Sequence, residues 1–462
     1  MTSTPSSLNA PVAATFQDSV RMSSKNKAAT KREEVKPALG PKLRFPEFQN
    51  AGDWTTEVLR AVATIRTEKV GNNICVPMSI TSGVGLVSQE EKFGRVIAGD
   101  SYKNYLLLKP NEFAYNKSAT KEYPEGFLTL YSGTELAAVP NSIFTCFRIN
   151  GDSPDVRFLN YQFSDNLHGR WLRKFIQVGA RAHGSLSIND NDLMALPVPV
   201  PTGTTSVAEQ QKIAECLSSV DELIAAQAAK VAALKTHKKG LMQQLFPREG
   251  ETRPRLRFPE FQNAGEWETT ELGDCLEKVI DYRGKPPPKA ESGVPLITAK
   301  NVRFGWLDMT ADEYIEAGAY GAWMTKGIPK AGDILFTTEA PLGNVAMFPS
   351  VGVFALGQRI ITLRCNTKKC VPEFLFQSLL GPEMQKTIDF HSTGSTAKGI
   401  KSSVFVTLCI RHPKVEEQQR IASFLSTLDA LITAEAQKLE AFKSHKKGLM
   451  QNLFPSSDEV DV

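Results

Sequence analysis

The residues of this chain with the most definite chemistry are lysines and arginines in two stretches broken by Gly, Pro, Ser and Asn, residues typical of loops. Either cation can neutralise a phosphate, and arginine can also hydrogen-bond two acceptors on the edge of a guanine. An ordinary solvated surface charge is the alternative for any one of them. The candidates for contact with DNA are Lys103, Lys117, Arg170, Arg173, Lys174 and Arg181 in the first stretch, and Arg283, Lys285, Lys300, Arg303, Lys326, Lys398 and Lys401 in the second.

The segment from His391 to Ser403 reads HSTGSTAKGIKSS and combines small, hydroxylated and basic residues. Glycine allows the backbone to come close to a phosphate, and the hydroxyls of Ser395 and Thr396 can donate hydrogen bonds to it. We therefore add these two residues to the candidates for DNA contact. The alternative is a flexible loop without a ligand.

The sequence contains no set of residues that indicates catalysis. It lacks the GxxxxGK(S/T) phosphate-binding loop, the GxSxG and HExxH motifs, and the Asn/Asp-Pro-Pro-aromatic motif of amino-methyltransferases. Its acidic residues and its six histidines have no spacing typical of a metal site. We therefore expect a protein that binds without catalysing, and that holds no cofactor or metal of its own.

The composition is that of an ordinary globular protein, with 41% hydrophobic and 23% charged residues in a chain of 462. A net charge of only +4 argues against a uniformly basic coat for nucleic acid but allows a local basic groove. The seven cysteines form no CxxC pair, which fits a reducing cytoplasm. No apolar run reaches the roughly 18 residues of a membrane span. Residues 1–40 predict a disordered tail, with a basic arm that touches DNA as the alternative.

The chain carries one scaffold twice. LRFPEFQNAGDW begins at Leu43 and LRFPEFQNAGEW at Leu256, and two 39-residue segments that begin at Glu209 and Glu417 share 25 identities without a gap. The stretches between them, about 55–195 and 268–408, scarcely align. Two copies of one scaffold with unlike inserts are expected if each insert reads something different for a shared partner.

Each 39-residue segment predicts a long helix, because it is rich in good helix formers and has no internal proline. Apolar residues recur with a mean spacing of 3.5, the period of a coiled-coil seam. We expect the two helices to pair antiparallel, with the inserts at opposite ends; the alternative is that each helix packs on its own insert. The predicted seam is Ile213, Leu217, Val220, Ile224, Val231 and Leu234 in the first helix, and Ile421, Leu425, Leu428, Ile432, Leu439 and Phe442 in the second.

The inserts predict a mixed α+β fold, with short strands separated by loops and helices near 156–175 and 372–388. Traces of common ancestry, such as Phe158-Leu159 beside Phe374-Leu375, indicate that the two inserts share a fold. The predicted organisation is a tail (1–40), a first domain (41–200), a first spacer helix (201–250), a second domain (251–411) and a second spacer helix (412–462), related by a pseudo-two-fold repeat.

These residues resemble the DNA-specificity subunits of type I restriction–modification enzymes over nearly the whole chain from about residue 41. The most specific segments are PVPVPTGTTSVAEQQKIAECLSSVDELIAAQ and HPKVEEQQRIASFLSTLDALI, where a Pro-containing strand leads through EQQ into the long helix. GDILFTTEAPLGNVA and LLLKPNEFAYNKS are also similar to segments of the family's target recognition domains.

The resemblance implies a non-catalytic subunit of a host-defence complex. Each insert would be a target recognition domain that reads one half of a bipartite sequence in double-stranded DNA. The helices would fix the length of the unread spacer and dock two modification (methyltransferase) subunits, and restriction subunits would join the same complex. S-adenosylmethionine, ATP and Mg²⁺ would belong to those partners. The competing hypothesis is a coiled-coil assembly scaffold that does not bind DNA.

Overall fold

The computed structural model describes residues 39–81, 84–176, 184–282, 286–310, 313–394 and 398–456. The tail predicted for residues 1–40 lies almost entirely outside the described residues. So do five of the candidate DNA-contact residues: Arg181, Arg283, Lys285, Ser395 and Thr396.

The first domain is built from short strands and short helices, and its strands have mostly apolar, β-branched or aromatic residues on their buried positions. The strands are β1 (Trp54–Val58), β2 (Ala63–Arg66), β3 (Val76–Thr81), β4 (Gly85–Ser88), β5 (Leu106–Leu108), β6 (Phe113–Asn116), β7 (Ser118–Ala119), β8 (Phe127–Leu130), β9 (Ala137–Val139), β10 (Phe144–Ile149), β11 (Gly184–Ser185) and β12 (Pro197–Pro201). The helices are α1 (Leu59–Val62), α2 (Gln89–Phe93), α3 (Val156–Ser164), α4 (Leu167–Leu172) and α5 (Asp190–Met194).

A 40-residue helix, α6 (Ser206–Leu245), leads into the second domain, and a 39-residue helix, α11 (Val415–Leu453), follows it. The strands of the second domain are β13 (Glu268–Glu271), β14 (Leu276–Asp281), β15 (Lys289–Ala290), β16 (Val294–Ile297), β17 (Tyr314–Ile315), β18 (Ile334–Thr337), β19 (Val345–Met347), β20 (Ala355–Leu356), β21 (Ile360–Cys365) and β22 (Cys409–His412). Its helices are α7 (Tyr320–Trp323), α8 (Pro372–Leu380), α9 (Pro382–Phe390) and α10 (Ser402–Phe405).

Each domain contains its own central four-stranded antiparallel sheet. The strand order is β2-β10-β6-β8 in the first domain and β14-β21-β18-β19 in the second, so corresponding strands occupy the same places. Each domain also pairs its first strand with the strand that precedes the long helix, as β1-β12 and as β13-β22. The mixed α/β architecture expected from the sequence is therefore present, and its topology recurs although the inserts scarcely align.

The domains differ in a second sheet, ordered β4-β3-β9-β5 in the first and β15-β17-β16-β20 in the second. Each contains one parallel pair, β3 with β9 and β16 with β20. In the first domain β4 and β5 flank the parallel pair on either side, whereas in the second domain β17 and β15 both lie on the side of β16. The topological difference between the two domains thus lies in the second sheet.

The long helices lie antiparallel, as shown by hydrogen bonds that join early positions of each helix to late positions of the other. Lys238 donates to Asp429 at 2.6 Å, and Lys446 donates to Asp221 at 2.6 Å. These two bonds join the same positions of the two repeats, with the donor and acceptor helices exchanged. The pair therefore has a pseudo-two-fold relationship, and each helix would rise about 60 Å from end to end.

Each domain core is completed by the beginning of one long helix and the end of the other. Ile213 and Leu217 enter the core of the first domain together with Leu453, whereas Ile421 and Leu425 enter that of the second together with Leu245. A mean spacing of 3.5 does not reveal which neighbour covers a given position, so the ends of the predicted seam are buried by the domains. The central positions are buried or half-buried on the paired helices: Val220, Ile224, Val231, Leu234, Leu428, Ile432, Leu439 and Phe442.

Two of the predicted helices are each divided into two. The stretch 156–175 is interrupted after Ser164, where Asn166 adopts a left-handed conformation with φ of 64°, and ends in a short 3-10 segment, Arg173–Phe175. The stretch 372–388 is interrupted at Gly381, because Pro382 disfavours helical geometry at the residue before it. Both breaks turn the second helix of the pair in a new direction.

Candidate nucleic-acid interface

Gly399 and Ile400, in the segment from His391 to Ser403, pack against the loop that follows β18. Ile400 donates its backbone N–H to the carbonyl of Thr338 at 2.9 Å, and Gly399 forms an isolated β-bridge with Glu339. Gly399 has little free space, since an added Cβ would lie 3.3 Å from that of Glu339. The absence of a side chain at Gly399 therefore permits a close approach between two loops of the second domain.

A second loop, Asn301–Asp308, joins the same surface. Gly305 donates its backbone N–H to the carbonyl of Val345 at 2.8 Å, and the Asn344 side chain donates to the carbonyl of Val302 at 2.9 Å. The loop after β18 thus contacts the basic segment on one side and the 301–308 loop on the other. These three loops form one continuous surface, which we call the loop face.

The first domain has a corresponding arrangement. β7 pairs with β11, and Leu186 donates its backbone N–H to the carbonyl of Lys117 at 2.7 Å. The loop after β6 therefore meets the segment that follows α4, as the loop after β18 meets the segment that follows α9. A cavity of about 340 Å³ opens beside it, lined by residues that include Ser118, Tyr123 and Lys92.

Most candidate cations of the first domain contact a carboxylate or an aromatic ring. Lys117 lies 3.1 Å from Asp190, Arg170 lies 3.3 Å from Asp165, and Arg173 donates to Glu125 at 2.8 Å. The ammonium of Lys174 lies 3.1 Å from the centre of the Trp171 ring, a cation–π contact. Lys103 is exposed in a 3-10 segment, Asp100–Asn104, and the sequence pattern predicted none of these pairings.

The candidates of the second domain are similar. Lys300 lies 3.0 Å from Glu313, Arg303 lies 3.1 Å from Asp308, and Lys398 lies 2.5 Å from Asp389. Lys326 and Lys401 are exposed, and Lys401 lies at the start of α10, on the segment that forms the loop face. For the paired residues, binding of a phosphate would exchange a carboxylate partner for another anion, which lowers the net gain per contact.

Two of these carboxylates, those of Asp308 and Glu313, are stabilised as anions. Hydrogen bonds from Thr310 and then from Arg303 lower the pKa of Asp308. Burial alone would raise the pKa of Glu313, but hydrogen bonds from Lys289 and Lys300 lower it on balance. Both carboxylates are therefore ionised at neutral pH, so Lys300 and Arg303 lie beside fixed negative charges.

The repeated sequence motifs attach each domain to its helix. Arg44 of the first LRF motif donates to Glu209 at 2.7 Å, and Arg257 of the second donates to Glu417 at 2.6 Å. Both glutamates are buried, and both arginines also donate to backbone carbonyls of their own motif. The Glu of each EQQ sequence thus attaches the LRF motif to the long helix.

The next residue of EQQ makes a second attachment. Gln210 accepts a hydrogen bond from the backbone N–H of Asp155 at 2.7 Å, and Gln418 accepts one from that of Val371 at 2.9 Å. Asp155 and Val371 are the residues immediately before α3 and α8. Identity between the two repeats was the available signal for these contacts, although it did not reveal their partners.

A third junction lies midway along each helix. Asp221 accepts from Lys446 of the other helix and from the Tyr161 hydroxyl of the first domain at 3.0 Å. Asp429 correspondingly accepts from Lys238 and from Gln377 of the second domain, at 2.7 Å. Each aspartate therefore ties the orientation of one domain to the register of the helix pair.

Two exposed leucines occupy the same position of the two repeats. Leu223 is 54% exposed and Leu431 is 44% exposed, and each lies close to the middle of its helix. Isolated exposed leucines are common, but this pair obeys the pseudo-two-fold relationship of the helices. It offers a partner two equivalent apolar contacts.

Among the described residues, no group of three or more His, Cys, Asp or Glu side chains has the geometry of a metal site. No helix within the described ranges is long and apolar enough to cross a membrane.

The type I restriction modification DNA specificity domain is the family whose model matches this chain, over residues 265–443. A putative type I restriction enzyme MjaX specificity subunit from Methanocaldococcus jannaschii is 29% identical over 300 residues, which are 63% of this chain and 66% of that protein. The MjaVIII specificity subunit of the same organism is 24% identical over 54% of this chain and 60% of its own length. The chain thus spans about two thirds or less of the length of these curated relatives.

Solved structures support the fold. The S subunit of a type I restriction–modification system from M. genitalium superposes with a TM-score of 0.54 and 13% sequence identity, covering 90% of this chain and all of that one. A chain from a study of assembly and conformational transition in the type I R-M system gives a TM-score of 0.50 and 17% identity, covering 87% of this chain and 98% of that one.

Proposed function

Because this chain belongs to the family of type I restriction–modification DNA specificity subunits, we propose that it selects a bipartite DNA sequence, one half with each domain, and performs no catalysis itself. The observation that carries this proposal is the pair of domains with one central sheet topology and unlike loops, held at opposite ends of two antiparallel helices. Different loops on equivalent sheets would read different bases from equivalent positions on the duplex.

The helices set the distance between the half-sites. Each domain is fixed to both helices, through its core and through the Asp221 or Asp429 junction. A rigid separation places the two domains along one face of a duplex about a helical turn apart, roughly 34 Å between half-site centres. The bases between the half-sites form the unread spacer.

Two modification subunits dock on the helix pair, and restriction subunits complete the complex. The pseudo-two-fold arrangement of Leu223 and Leu431 supports two equivalent docking positions. The modification subunits bring S-adenosylmethionine, and the restriction subunits bring ATP hydrolysis with Mg²⁺. This chain supplies the sequence choice and the geometry.

The test is a map of methylated adenines in DNA exposed to the assembled complex. Exchange of residues 268–408 for the corresponding stretch of another family member should change one half-site and leave the other unchanged. A change in both half-sites would contradict the modular reading of the target.

The ruler is tested by lengthening both helices together. Insertion of about seven residues, close to two turns, after Ala226 and at the repeat-matched Ala434 keeps the apolar faces opposed. It adds about 10 Å of rise, so the unread spacer should grow by about three base pairs. An unchanged spacer would show that the helices do not measure the target.

The competing scaffold hypothesis makes a different prediction for a mixed-sequence duplex. A DNA-binding subunit loses affinity steeply as salt rises, because it releases counterions from the phosphates. A scaffold would show no duplex binding at any salt concentration.

A further inference from the structure

The loop face of the second domain presents two large aromatic side chains to solvent. Phe304 is 55% exposed and Trp306 is 57% exposed, and Met309 beside them is 40% exposed. They lie within or next to the loop Asn301–Asp308. Leaving so much apolar surface in water costs free energy that folding alone would not favour.

The loop is held in a defined shape by a buried amide. Asn301 is fully buried, accepts hydrogen bonds from the backbone and hydroxyl of Thr298, and donates to the carbonyl of Asp308 at 2.9 Å. Arg303 donates its backbone N–H to the carbonyl of Trp306 at 2.9 Å, and Asp308 donates to that of Asn301 at 2.7 Å. The aromatic side chains are therefore projected by an ordered turn rather than by a loose strand of chain.

The charges around the loop favour a polyanion. Lys289, Lys300 and Arg303 flank it with side chains that are 48–73% exposed, and two carboxylates, Asp308 and Glu313, lie beside them. The cations are the more exposed members of every pair, since Asp308 is 14% and Glu313 is 17% exposed. A negatively charged partner would meet the cations first.

The loop is also continuous with the segment that carries Lys398 and Lys401. Gly305 bonds to Val345, the loop after β18 leads back from there, and Ile400 bonds to Thr338 at its other side. A duplex that contacts the basic segment would therefore extend toward the aromatic loop. Apolar side chains inserted between base pairs unstack a base step and kink the duplex.

We propose that the Asn301–Asp308 loop is a wedge that enters duplex DNA with Phe304 and Trp306 and unstacks a base step within the half-site of the second domain. This inference rests on the proposed function and names the element that distorts the DNA. Adenine methylation requires the target base to leave the stack. A base step already opened by the wedge would lower the cost of that movement for the modification subunit.

The first domain carries a loop of similar construction in a part of the sequence that does not align. Gln89, which is buried, accepts from the backbone N–H groups of Ile97 and Ala98, at 3.0 and 2.9 Å. Phe93 is 45% exposed and Val96 is 50% exposed beside it. A buried amide that holds out apolar side chains thus occurs in both domains.

The experiment uses the full chain and a mixed-sequence duplex at low salt, with the adenine analogue 2-aminopurine distributed along one strand. Binding of the wild-type chain should raise the 2-aminopurine emission, because the probe brightens when its step is unstacked. Binding of the duplex should also protect Trp306 from quenching by acrylamide. The contribution of Trp306 is the difference in tryptophan quenching between the wild type and W306F. The double variant F304A/W306A should abolish the rise in emission and weaken binding about tenfold or more.

The control is V351A/V353A, which removes two apolar side chains that are 83% and 61% exposed elsewhere in the same domain. It should bind and brighten the duplex as the wild type does, and all variants should retain the wild-type melting temperature. Equal brightening by F304A/W306A and wild type would overturn the wedge while leaving DNA recognition intact. Protection of Trp306 by the modification subunit alone would also overturn it, since the loop would then be a protein contact. Absence of duplex binding by the wild-type chain would overturn the proposed function and the wedge together.

Discussion

Gln227 of α6 donates a hydrogen bond to the carboxylate of Glu435 on α11 at 2.7 Å, and these two residues occupy the same position of the two repeats. Exchange of the repeats maps this pair onto itself, so it lies on the pseudo-two-fold axis. Lys230 also donates to Glu435, at 2.5 Å. A polar pair within an apolar seam fixes register at some cost in stability, and at this point the two repeats carry different residues.

The first prediction concerns this axial pair. Q227E places two carboxylates against each other, so we expect a lower melting temperature, with a larger loss at low salt than at high salt because screening weakens the repulsion. E435Q, which leaves two neutral amides, is the matched control and should melt closer to the wild type. Equal melting of Q227E and wild type at low salt would contradict the assignment of this contact to the axis.

The axial pair also predicts a dependence on acid. Hydrogen bonds from Gln227 and then from Lys230 lower the pKa of Glu435 below its ordinary 4.5. A depressed carboxylate pKa contributes stability above the ordinary value and loses it as pH falls below about 4.5 toward the folded value. Melting curves across that range should show a smaller loss for E435Q than for the wild type.

The second prediction concerns the buried attachment of the LRF motif. R257M leaves Glu417 buried without its cation, so we expect a loss of about 3 kcal/mol in the free energy of unfolding. R255M removes an exposed arginine that pairs with Glu251 in the same segment, and should cost under about 0.5 kcal/mol. Denaturant titration of both variants measures the difference, and equal stability would show that the buried pair contributes no more than the exposed one.

The third prediction concerns His168, which is buried between aromatic rings of the first domain. Burial lowers its pKa to about 4. Well above pH 6.5 the imidazole is neutral in both the folded and the unfolded chain. Between pH 6.5 and about 4, the imidazole binds a proton in the unfolded chain and stays neutral in the folded domain. Stability should therefore fall as pH drops from 6.5 to about 4, by up to about 3 kcal/mol. In H168L this slope should be absent; a slope as steep as that of the wild type would assign it to other groups.

The fourth prediction concerns the exposed leucines of the helix pair. L223K/L431K should leave the melting temperature unchanged, because both side chains already contact solvent. It should weaken assembly with the modification subunit about tenfold or more, since a buried lysine would replace an apolar contact. The control is I74K, at a 93% exposed residue of the first domain, which should assemble normally. Unimpaired assembly of the double variant would place the docking contacts elsewhere on the helices.

The fifth prediction concerns Lys401 on the loop face. K401A should weaken duplex binding and reduce the slope of log affinity against log salt by about 0.9, the value for one phosphate contact. K368A is the control. The loop after β18 bonds to Arg359 at the start of β21, whereas Lys368 follows the end of β21, where Gln418 of α11 donates to the carbonyl of Lys369. An equal reduction in both variants would indicate a general effect of charge and no contact at Lys401.

The repeat allowed much of the architecture to be predicted. The long helices predicted for the segments that begin at Glu209 and Glu417 are present, and their starts agree with the structure within a few residues. The mixed α/β class and the family resemblance are confirmed. The prediction of one continuous helix over 156–175 and another over 372–388 was wrong. The apolar spacing continues across Asn166 and Gly381, so it does not reveal that the chain turns at these residues.

The candidate site was less predictable, because its decisive contacts are distant in sequence. The pairing of Arg173 with Glu125, or of Lys398 with Asp389, depends on which loops the fold brings together. A list of cations chosen by residue type therefore includes side chains that already contact a carboxylate. It also passed over Phe304 and Trp306, whose exposure is visible only once the core has been assigned.

The fastening made by Gln210 and Gln418 places no demand on the side chains of the domain it holds. Each glutamine accepts from a backbone N–H, once at an aspartate and once at a valine. This attachment requires only that the backbone N–H of the residue before α3 or α8 lie within hydrogen-bond distance of the glutamine. Exchange of an insert can therefore preserve these two hydrogen bonds, whereas the bonds at Asp221 and Asp429 also require the Tyr161 and Gln377 side chains of the inserts.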